Sequence, residues 1–600
     1  MKGESNRFER ELGDFTTDLR VILLILMAVV IGGISALVAY ALVWLIGVIT
    51  NIAFFGRLSS EFVSPAANHL GGWMILVPMV GGLIVGLMAY YGSEKIRGHG
   101  IPEALEAILI GRSRMDPKVA ILKPLSSAIA IGTGGPFGAE GPIIMTGGAF
   151  GSLFAQLFNL SSAERKTLLV AGAAAGMSAI FSTPLAAVLI AVELLLFEWR
   201  PRSFIPVAFA SAVAWAARIH LLGPGPIFPV TPHEPLGGSG LAICLIVGLI
   251  AGLGSSVLTA LVYGIEDLFH KLPIHWMWWP VIGGAFVGIG GLIDPRVLGV
   301  GYDIIAGLLR GEVVGGVAMG LLIAKALVWS ISLGSGTSGG VLAPLLIMGG
   351  ALGAFESHFI PTGTPGIWAM ISMAAMMGGT MRSPLTAIVF TVELTHDFNL
   401  LPAIMVGCVA AQVVTVLLMK RSILTEKVAR RGHHVMREYT VDPLEALQVG
   451  EVMDRDVTTI PSTMKVADLS DRIAGGDPDL TRRQGTLIVD EDGNLAGIIT
   501  RSDLLRALEA GHDPQQTVLQ AGSTNLILTH PDEVLRDAVA KMIRNDIGRL
   551  PVVSRSEPRR PLGYLGRSGV IAARMRSHEE EHVRERISRS RPLGFSADRK

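Results

Sequence analysis

Six hundred residues, half of them hydrophobic, with a mean hydropathy of +0.52, exclude an ordinary soluble enzyme. Fifty basic and fifty acidic side chains leave no net charge, so nothing global points to nucleic acid or to an acidic partner. The charges are unevenly spread, 45 of the 100 within residues 1–420 and 55 within residues 421–600, which predicts one part built for lipid and one for water. Cys244 and Cys408 both lie in apolar stretches, too few for a disulfide framework and spaced for no metal site, and read as packing residues.

Residues 1–20 carry Arg7, Arg10 and Arg20 but also five acids, and no small-residue cleavage pattern follows. This segment is expected to stay on the mature chain, on the cytoplasmic side. Val21 to Gly56 contains no charged residue, and about 20 residues at a 1.5 Å rise already cross a ~30 Å hydrocarbon layer, which predicts a tilted transmembrane helix. Apolar segments follow at 70–91, 119–138, 142–160, 167–192, 203–222, 239–263, 276–293, 303–333, 341–355, 366–380, 383–395 and 400–419. Several are too short to span simply, and Gly and Pro interrupt the chain at Gly132–Pro142 and Gly334–Pro344. Irregular backbone at membrane depth survives only where protein or a water-filled cavity satisfies it, so the pattern points to a transport site.

An internal repeat supports this. Pro184, Leu185, Ala187, Val192, Glu193 and Leu194 recur 200 positions on as Pro384, Leu385, Ala387, Val392, Glu393 and Leu394. Pro142, Gly148, Ala149 and Gly151 recur 202 positions on as Pro344, Gly350, Ala351 and Gly353. Duplicated halves with interrupted segments at corresponding places mark a transporter site at the interface of the halves; whether they are inverted is not readable from the segments alone.

Three segments run Gly-rich backbone into Pro near a helix start: Gly98–Pro102, Gly138–Pro142 and Gly339–Pro344. A helix amino terminus offers unpaired N–H groups and about half a positive charge, so several aimed at one point hold a dehydrated anion without a buried cation. Proline in a first helical turn is also ordinary capping. Glu140 stands out, because an ionised acid inside an apolar Gly/Pro loop is costly without partners. Two readings stand open: a capping acid, or a carboxylate held in the anion's own place, which protonation or anion competition would release.

These residues resemble the CLC chloride channels and chloride/proton antiporters. Gly98–Pro102 is similar to that family's G-S-G-I-P segment, Gly138–Pro142 to its G-R-E-G-P and Gly339–Pro344 to its G-G-x-F-x-P, in the same order and spacing, and the likeness covers nearly all of residues 20–430. The resemblance implies an all-α multi-pass domain over 21–430, made of two inverted repeats of tilted, broken helices at about 70–222 and 276–420. It also implies a homodimer in the bilayer with one pathway per subunit for chloride or a similar anion. Glu140 would then be the gate, and the anion would lie among His99, Gly100, Ile101, Gly138, Ala139, Gly141, Val341, Leu342 and Leu424. No catalytic residue, metal or required cofactor is implied.

The departures bear on mechanism. His99 stands where the family commonly has Ser, Ala139 where it has Arg, and Leu424 where an inner Tyr is expected. An imidazole donates when neutral and adds charge when protonated, unless its ring turns away and only backbone faces the anion. Many antiporters of the family carry two adjacent acids where this chain has Glu193 and Leu194, the second being the internal proton site. Glu193 matches Glu393 in the other half, which favours a shared structural role; Glu193 or Glu198 as a proton relay, with Glu140, is the other reading. Channel-like flux and proton exchange both remain open. Lys325, within an apolar run, is read as a snorkelling or ion-paired side chain.

Past Met419 a basic cluster, from Lys420 to Arg437, predicts a cytoplasmic carboxyl-terminal side; with no targeting signal apparent, a cell (inner or plasma) membrane location is expected. After a linker at 431–448, residues 449–509 and 517–576 show the same α/β plan twice. The first has strands at 486–490 and 495–500 and a helix at 503–508; the second has a helix at 534–543, strands at 549–553 and 561–566, and a helix at 570–575. The pair resembles tandem CBS domains, which implies regulation and an adenine nucleotide held by Thr500 and Asp503; in the second unit Gly569 takes the acid's place. An unliganded, dimerising pair is the alternative. His578-Glu579-Glu580-Glu581-His582 spells a zinc-protease string, yet it sits in a charged tail (577–600), expected to be disordered, with no third ligand. A membrane zinc protease would need His and Asp ligands in the apolar segments, and a CBS-containing divalent-cation transporter would need acidic pore side chains; both are disfavoured.

Overall fold

The computed structural model describes residues 19–109, 111, 113–432, 444, 447–481, 485–509 and 515–573. These fall into two compact units, one over the apolar part of the chain and one within residues 440–582. The amino-terminal segment up to residue 18, most of the linker and the zinc-like string of the tail lie outside the described residues.

The first unit is helical. Its first half contains α1 (Arg20–Phe55), α2 (Leu76–Tyr91), α3 (Ile101–Leu109), α4 (Pro117–Gly132), α5 (Glu140–Ala155), α6 (Ser162–Phe181), α7 (Pro184–Ile190) and α8 (Pro201–Leu221). Its second contains α9 (Gly238–His270), α10 (Trp279–Ile293), α11 (Tyr302–Leu309), α12 (Gly315–Gly334), α13 (Leu342–Glu356), α14 (Pro365–Met381), α15 (Pro384–Thr395) and α16 (Leu401–Leu418), with α17 (Ile423–Arg430) after it. Seven helical segments among the described residues are long and apolar enough to cross a membrane, and α1, 36 residues long, must tilt to do so. The protein is a multi-pass membrane protein.

The single apolar run expected at 303–333 is two helices, α11 and α12, parted where Gly311 takes a left-handed turn (φ 72°). The run at 167–192 likewise breaks after Phe181, where Ser182 sits at φ 61°. Helix α3 escaped the apolar survey because Glu103 and Glu106 interrupt it.

Every helix from α2 to α8 has its counterpart from α10 to α16 about 200 residues on. Backbone details recur as well: left-handed Ser182 and Arg382 end α6 and α14, and left-handed Phe197 and His396 end the next helical segments. The stretch from Ser182 to Phe197 is one residue longer than its counterpart, and a π turn at Ala191–Leu196 absorbs the extra residue.

The halves are inverted, as their contacts show. Glu193, at the end of one segment, accepts N–H bonds from Leu385 (3.2 Å) and Thr386 (2.8 Å) at the start of α15. Glu393, at the end of α15, accepts from Leu185 (2.9 Å) and Ala186 (2.8 Å) at the start of α7. Each helix therefore ends beside the other's beginning. Small residues let backbones touch inside each half: a Cβ on Gly147 would strike the Gly172 carbonyl, and one on Gly353 the Trp368 carbonyl.

The second unit carries two small sheets. The strand Thr459–Pro461 (β1) pairs parallel with Gly485–Val489 (β2), which pairs antiparallel with Leu495–Thr500 (β3). In the second module Thr529 bridges parallel to Val552 on Arg549–Val553 (β4), which pairs antiparallel with Pro561–Gly566 (β5). Both antiparallel pairs shift register near their end, at Ile488/Val489 and Val552/Val553. Helices Val466–Ala474, Arg501–Glu509 and Leu535–Arg544 cover the sheets, and 567–573 is helical too. Beyond the predicted elements, β1 and the 466–474 helix are new.

Candidate functional site

The two halves meet head to head. Gly340 N–H donates to the Gly138 carbonyl at 2.8 Å and Gly138 N–H to the Gly340 carbonyl at 3.4 Å, so the starts of α5 and α13 are tied together. Both helices direct free amides toward this crossing. Glu140, the first residue of α5, is fully buried there. Its Oε1 accepts from the N–H groups of Leu342 at 2.5 Å and Ala343 at 3.4 Å, while Oε2 has no partner among the described residues. A Cβ on Gly138 or Gly340 would overlap this carboxylate, which is why glycine stands at both places. A carboxylate oxygen is thus held by helix-start amides, as a bound anion would be.

The Gly98–Ile101 loop closes one side. Gly98 (φ 77°) and Gly100 (φ 86°) require glycine, and Gly98 N–H donates to the Gly336 carbonyl at 3.3 Å. The carbonyl of His99 lies against Gly141, where a Cβ would strike it. Fully buried Lys123 braces the loop from behind, its Nζ donating to the carbonyls of Ile96 (2.8 Å) and Gly98 (2.6 Å). Lys123 does not stand out within its own segment of the sequence. Its signal was the repeat: Lys325 lies 202 positions on and donates in the same way to Val297 (2.8 Å) and Gly299 (3.3 Å). Lys325 therefore reaches inward to carbonyls instead of snorkelling, and among the described residues no carboxylate forms an ion pair with it, a correction to the expectation from sequence. In both halves the cation satisfies carbonyls that a left-handed turn leaves pointing inward.

The His99 imidazole is buried, with Nδ1 unpartnered among the described residues, and borders a cavity of about 540 Å³. Lys427, Arg430 and Arg431 line the same cavity, facing Glu106 and Glu266. Leu424 is fully buried in the apolar core near the start of α17 and brings no hydroxyl. A hydroxyl does reach this region from a residue the sequence survey passed over: Tyr263 of α9 donates to the Ile423 carbonyl at 2.5 Å and lines the cavity.

The acids considered for proton transfer are engaged elsewhere. Both oxygens of Glu193 cap α15, with Thr386 Oγ1 as a further donor at 2.6 Å. Leu194 is fully buried. Glu198 accepts from Ser203 Oγ at 2.6 Å and lies near Arg200. In the second unit Thr500 and Asp503 come together as a reciprocal cap: Asp503 Oδ2 accepts from the Thr500 N–H (2.9 Å) and hydroxyl (2.6 Å), at the start of the 501–509 helix.

Inverted halves, broken helices and a carboxylate on crossing amides define a membrane protein of the transporter and channel class. A family model for the voltage-gated chloride channels matches residues 81–416, and one for the CBS domain matches 449–510 and 520–576. The chain belongs to the voltage-gated chloride channel family and carries two CBS domains. It is 28% identical over 394 residues to the voltage-gated ClC-type chloride channel ClcB of Shigella flexneri, covering 63% of this chain and 92% of that one. It is 30% identical over 412 residues to the H(+)/Cl(-) exchange transporter ClcA of Salmonella paratyphi B, covering 65% and 84%. Its fold matches that of a slow cyanobacterial Cl-/H+ antiporter with a TM-score of 0.62 at 22% identity, over 69% of this chain and 99% of that one.

Proposed function

We propose that this protein carries chloride or a similar small anion across the cell membrane, through a pathway that Glu140 blocks and opens. The observation that carries the reading is the Glu140 carboxylate seated on the Leu342 and Ala343 amides between Gly138 and Gly340. An anion competing for those amides, or a proton neutralising the carboxylate, displaces it. Backbone of Gly98–Ile101, braced by Lys123, and the amides of Val341 and Leu342 then hold the anion. His99, buried at the basic cavity, offers the side-chain donor that the family's Ser supplies.

Proton exchange, where it occurs, does not run through Glu193, because that carboxylate is occupied as a helix cap and Leu194 follows it. The reading is therefore anion flux with weak or no proton coupling, in a homodimer whose carboxyl-terminal CBS pair faces the cytoplasm and regulates flux by binding adenine nucleotide at the Thr500–Asp503 helix start.

The test is chloride efflux from liposomes holding the purified full chain, with external pH recorded and Glu140→Ala beside it. Efflux in the wild type that rises as pH falls, and loses that dependence in the variant, supports the gate. Stoichiometric proton uptake would overturn weak coupling; no flux of chloride, nitrate, fluoride or bicarbonate would overturn anion transport. ATP titrated onto the chain, and onto Asp503→Ala, tests the nucleotide site.

A further inference from the structure

The Gly98 loop has a counterpart of the same build in the other half. Gly299 (φ 64°) and Gly301 (φ 76°) repeat the left-handed turns of Gly98 and Gly100. Gly299 N–H donates to the Gly134 carbonyl at 3.0 Å, as Gly98 N–H does to the Gly336 carbonyl. Lys325 braces the second loop as Lys123 braces the first. Because the halves are inverted, the two loops lie on opposite sides of the crossing.

What packs on the bonded glycines differs between the halves. In the second half it is apolar: a Cβ on Gly299 would stand 3.0 Å from the Pro65 ring, and one on Gly134 would stand 3.0 Å from Phe54 and 3.5 Å from Leu298. In the first half the same two places are taken by cations. A Cβ on Gly98 would strike the Lys427 ammonium, and one on Gly336 would lie 2.9 Å from both Nε and Nη2 of Arg97. Arg97 adjoins Gly98 as Leu298 adjoins Gly299. The frame therefore asks for a group packed on each glycine, and the second half shows that the group need carry no charge.

The two cations are incompletely matched. Lys427, on α17, lies 3.1 Å from Glu103 Oε1, an oxygen that Arg431 also holds, at 2.9 Å, so one carboxylate oxygen serves two cations. Arg97 pairs at 2.9 Å with Glu94, whose own side chain is 66% exposed, and its guanidinium lies over the rings of Trp276 (4.5 Å) and Trp279 (5.6 Å). The Arg97 Nε is buried with no hydrogen-bond partner among the described residues. A buried donor on a cation is costly to leave unmade, and an acceptor is missing there. Arg97 and Lys427, with Gly98, His99 and Gly336, line the cavity of about 540 Å³.

We propose that Lys427 and Arg97 form an anion-capture subsite on the cavity side of the Gly98–Gly336 pair, for one halide-sized monovalent anion. The subsite rests on the anion-pathway reading and deepens it. An anion taken up by the Lys427 ammonium and the Arg97 guanidinium is stationed at the mouth of the Gly98–Ile101 loop, next to His99. Leu424 brings no hydroxyl to this mouth; Lys427, three residues on along α17 and so on the same face, brings N–H donors and a full charge. At the other loop Pro65, Phe54 and Leu298 fill the corresponding places, which makes capture one-sided.

Two measurements on the full chain test this. Chloride flux in liposomes is recorded against chloride concentration on each face separately, for wild type, Lys427→Met, Arg97→Leu and the double variant. Methionine keeps an apolar stem on Gly98, and leucine is what the other half carries beside its own glycine. On the face where the α17 cavity opens, half-saturating chloride is expected to rise about threefold in each single variant and about tenfold in the double, equivalent to ~1.4 kcal/mol, and to stay within about twofold on the other face. Wild-type crystals soaked in sodium bromide are expected to show an anomalous peak within hydrogen-bond distance of Lys427 Nζ and the Arg97 guanidinium, absent in the double variant. Unchanged half-saturation on both faces, an equal rise on both, or bromide confined to the Gly98–Ile101 backbone and the Leu342 amides would overturn the subsite and leave the pathway standing. A wild type that moves no anion would overturn the pathway reading and the subsite with it. Should the variants fail to fold, the bromide position in the wild type decides alone.

Discussion

The two halves of the membrane unit share one frame and carry different chemistry on it. At the crossing, α5 begins with Glu140 and α13 with Leu342, and the acid of one half lies on the amides of the other. At the flanking loops the left-handed glycines and the buried lysines are the same, yet His99 and Ile101 face Val300 and Tyr302 in register. Duplication with inversion thus supplies a symmetric cradle, two helix starts aimed at one point, which needs no buried full charge to attract an anion. The asymmetry comes from single substitutions laid on that frame, because one carboxylate can occupy the crossing but two would repel.

The sharpest way to break this comparison is to remove the lysines that both halves share. Lys123→Met and Lys325→Met each leave two inward carbonyls without a donor, and each is expected to cost about 3 kcal/mol, read as a fall in melting temperature of the full chain in detergent. Equal losses uphold a common structural role; a harmless Lys325→Met would show that the second loop does not depend on its brace.

A smaller effect separates framework from transport. Glu193→Gln and Glu393→Gln each weaken a pair of cap bonds and are expected to cost about 1 kcal/mol alike, with the proton-to-anion ratio unmoved. Loss of proton movement in Glu193→Gln alone would mean that Glu193 does more than cap.

The smallest effect concerns the CBS unit. Burial raises the Glu533 carboxyl, but hydrogen bonds from Lys541 and Thr529 outweigh this and hold it below the usual range. A carboxyl depressed in the folded state stabilises it above the unfolded value, and that contribution is lost as pH falls through the folded one. Glu533→Gln is therefore expected to lower stability at neutral pH, by under about 1 kcal/mol given its solvent contact, and to matter little in acid. Melting curves across pH check the sign; a variant equally costly at low pH would refute it.

Much of this was legible from residues alone. The Gly/Pro breaks at 98–102, 138–142 and 339–344 marked the crossing, because glycine takes left-handed turns at least cost and leaves room for backbone packed against a carboxylate. The matching of Glu193 with Glu393 suggested a shared structural role, and each does cap the other half's helix. The β3, β4 and β5 strands lie where short apolar runs between turn residues placed them. Lys325 was misread because a lone cation in an apolar run looks the same whether it reaches for the lipid surface or for two carbonyls 26 and 28 residues back. Lys123 showed only through the repeat, and Tyr263 and Tyr302 left no local signal, since nothing in their neighbours tells which cavity they will border.

The sequence by itself determined that a lipid-facing chain carries a duplicated, broken-helix core followed by two water-soluble modules, for hydropathy, periodicity and glycine placement are properties of short segments. Only the tertiary structure decided that the halves run antiparallel, which amides receive Glu140, and which buried donors find no acceptor. Those are relations between residues some 200 positions apart, and they exist only once inverted halves pack and bring helix ends to one point.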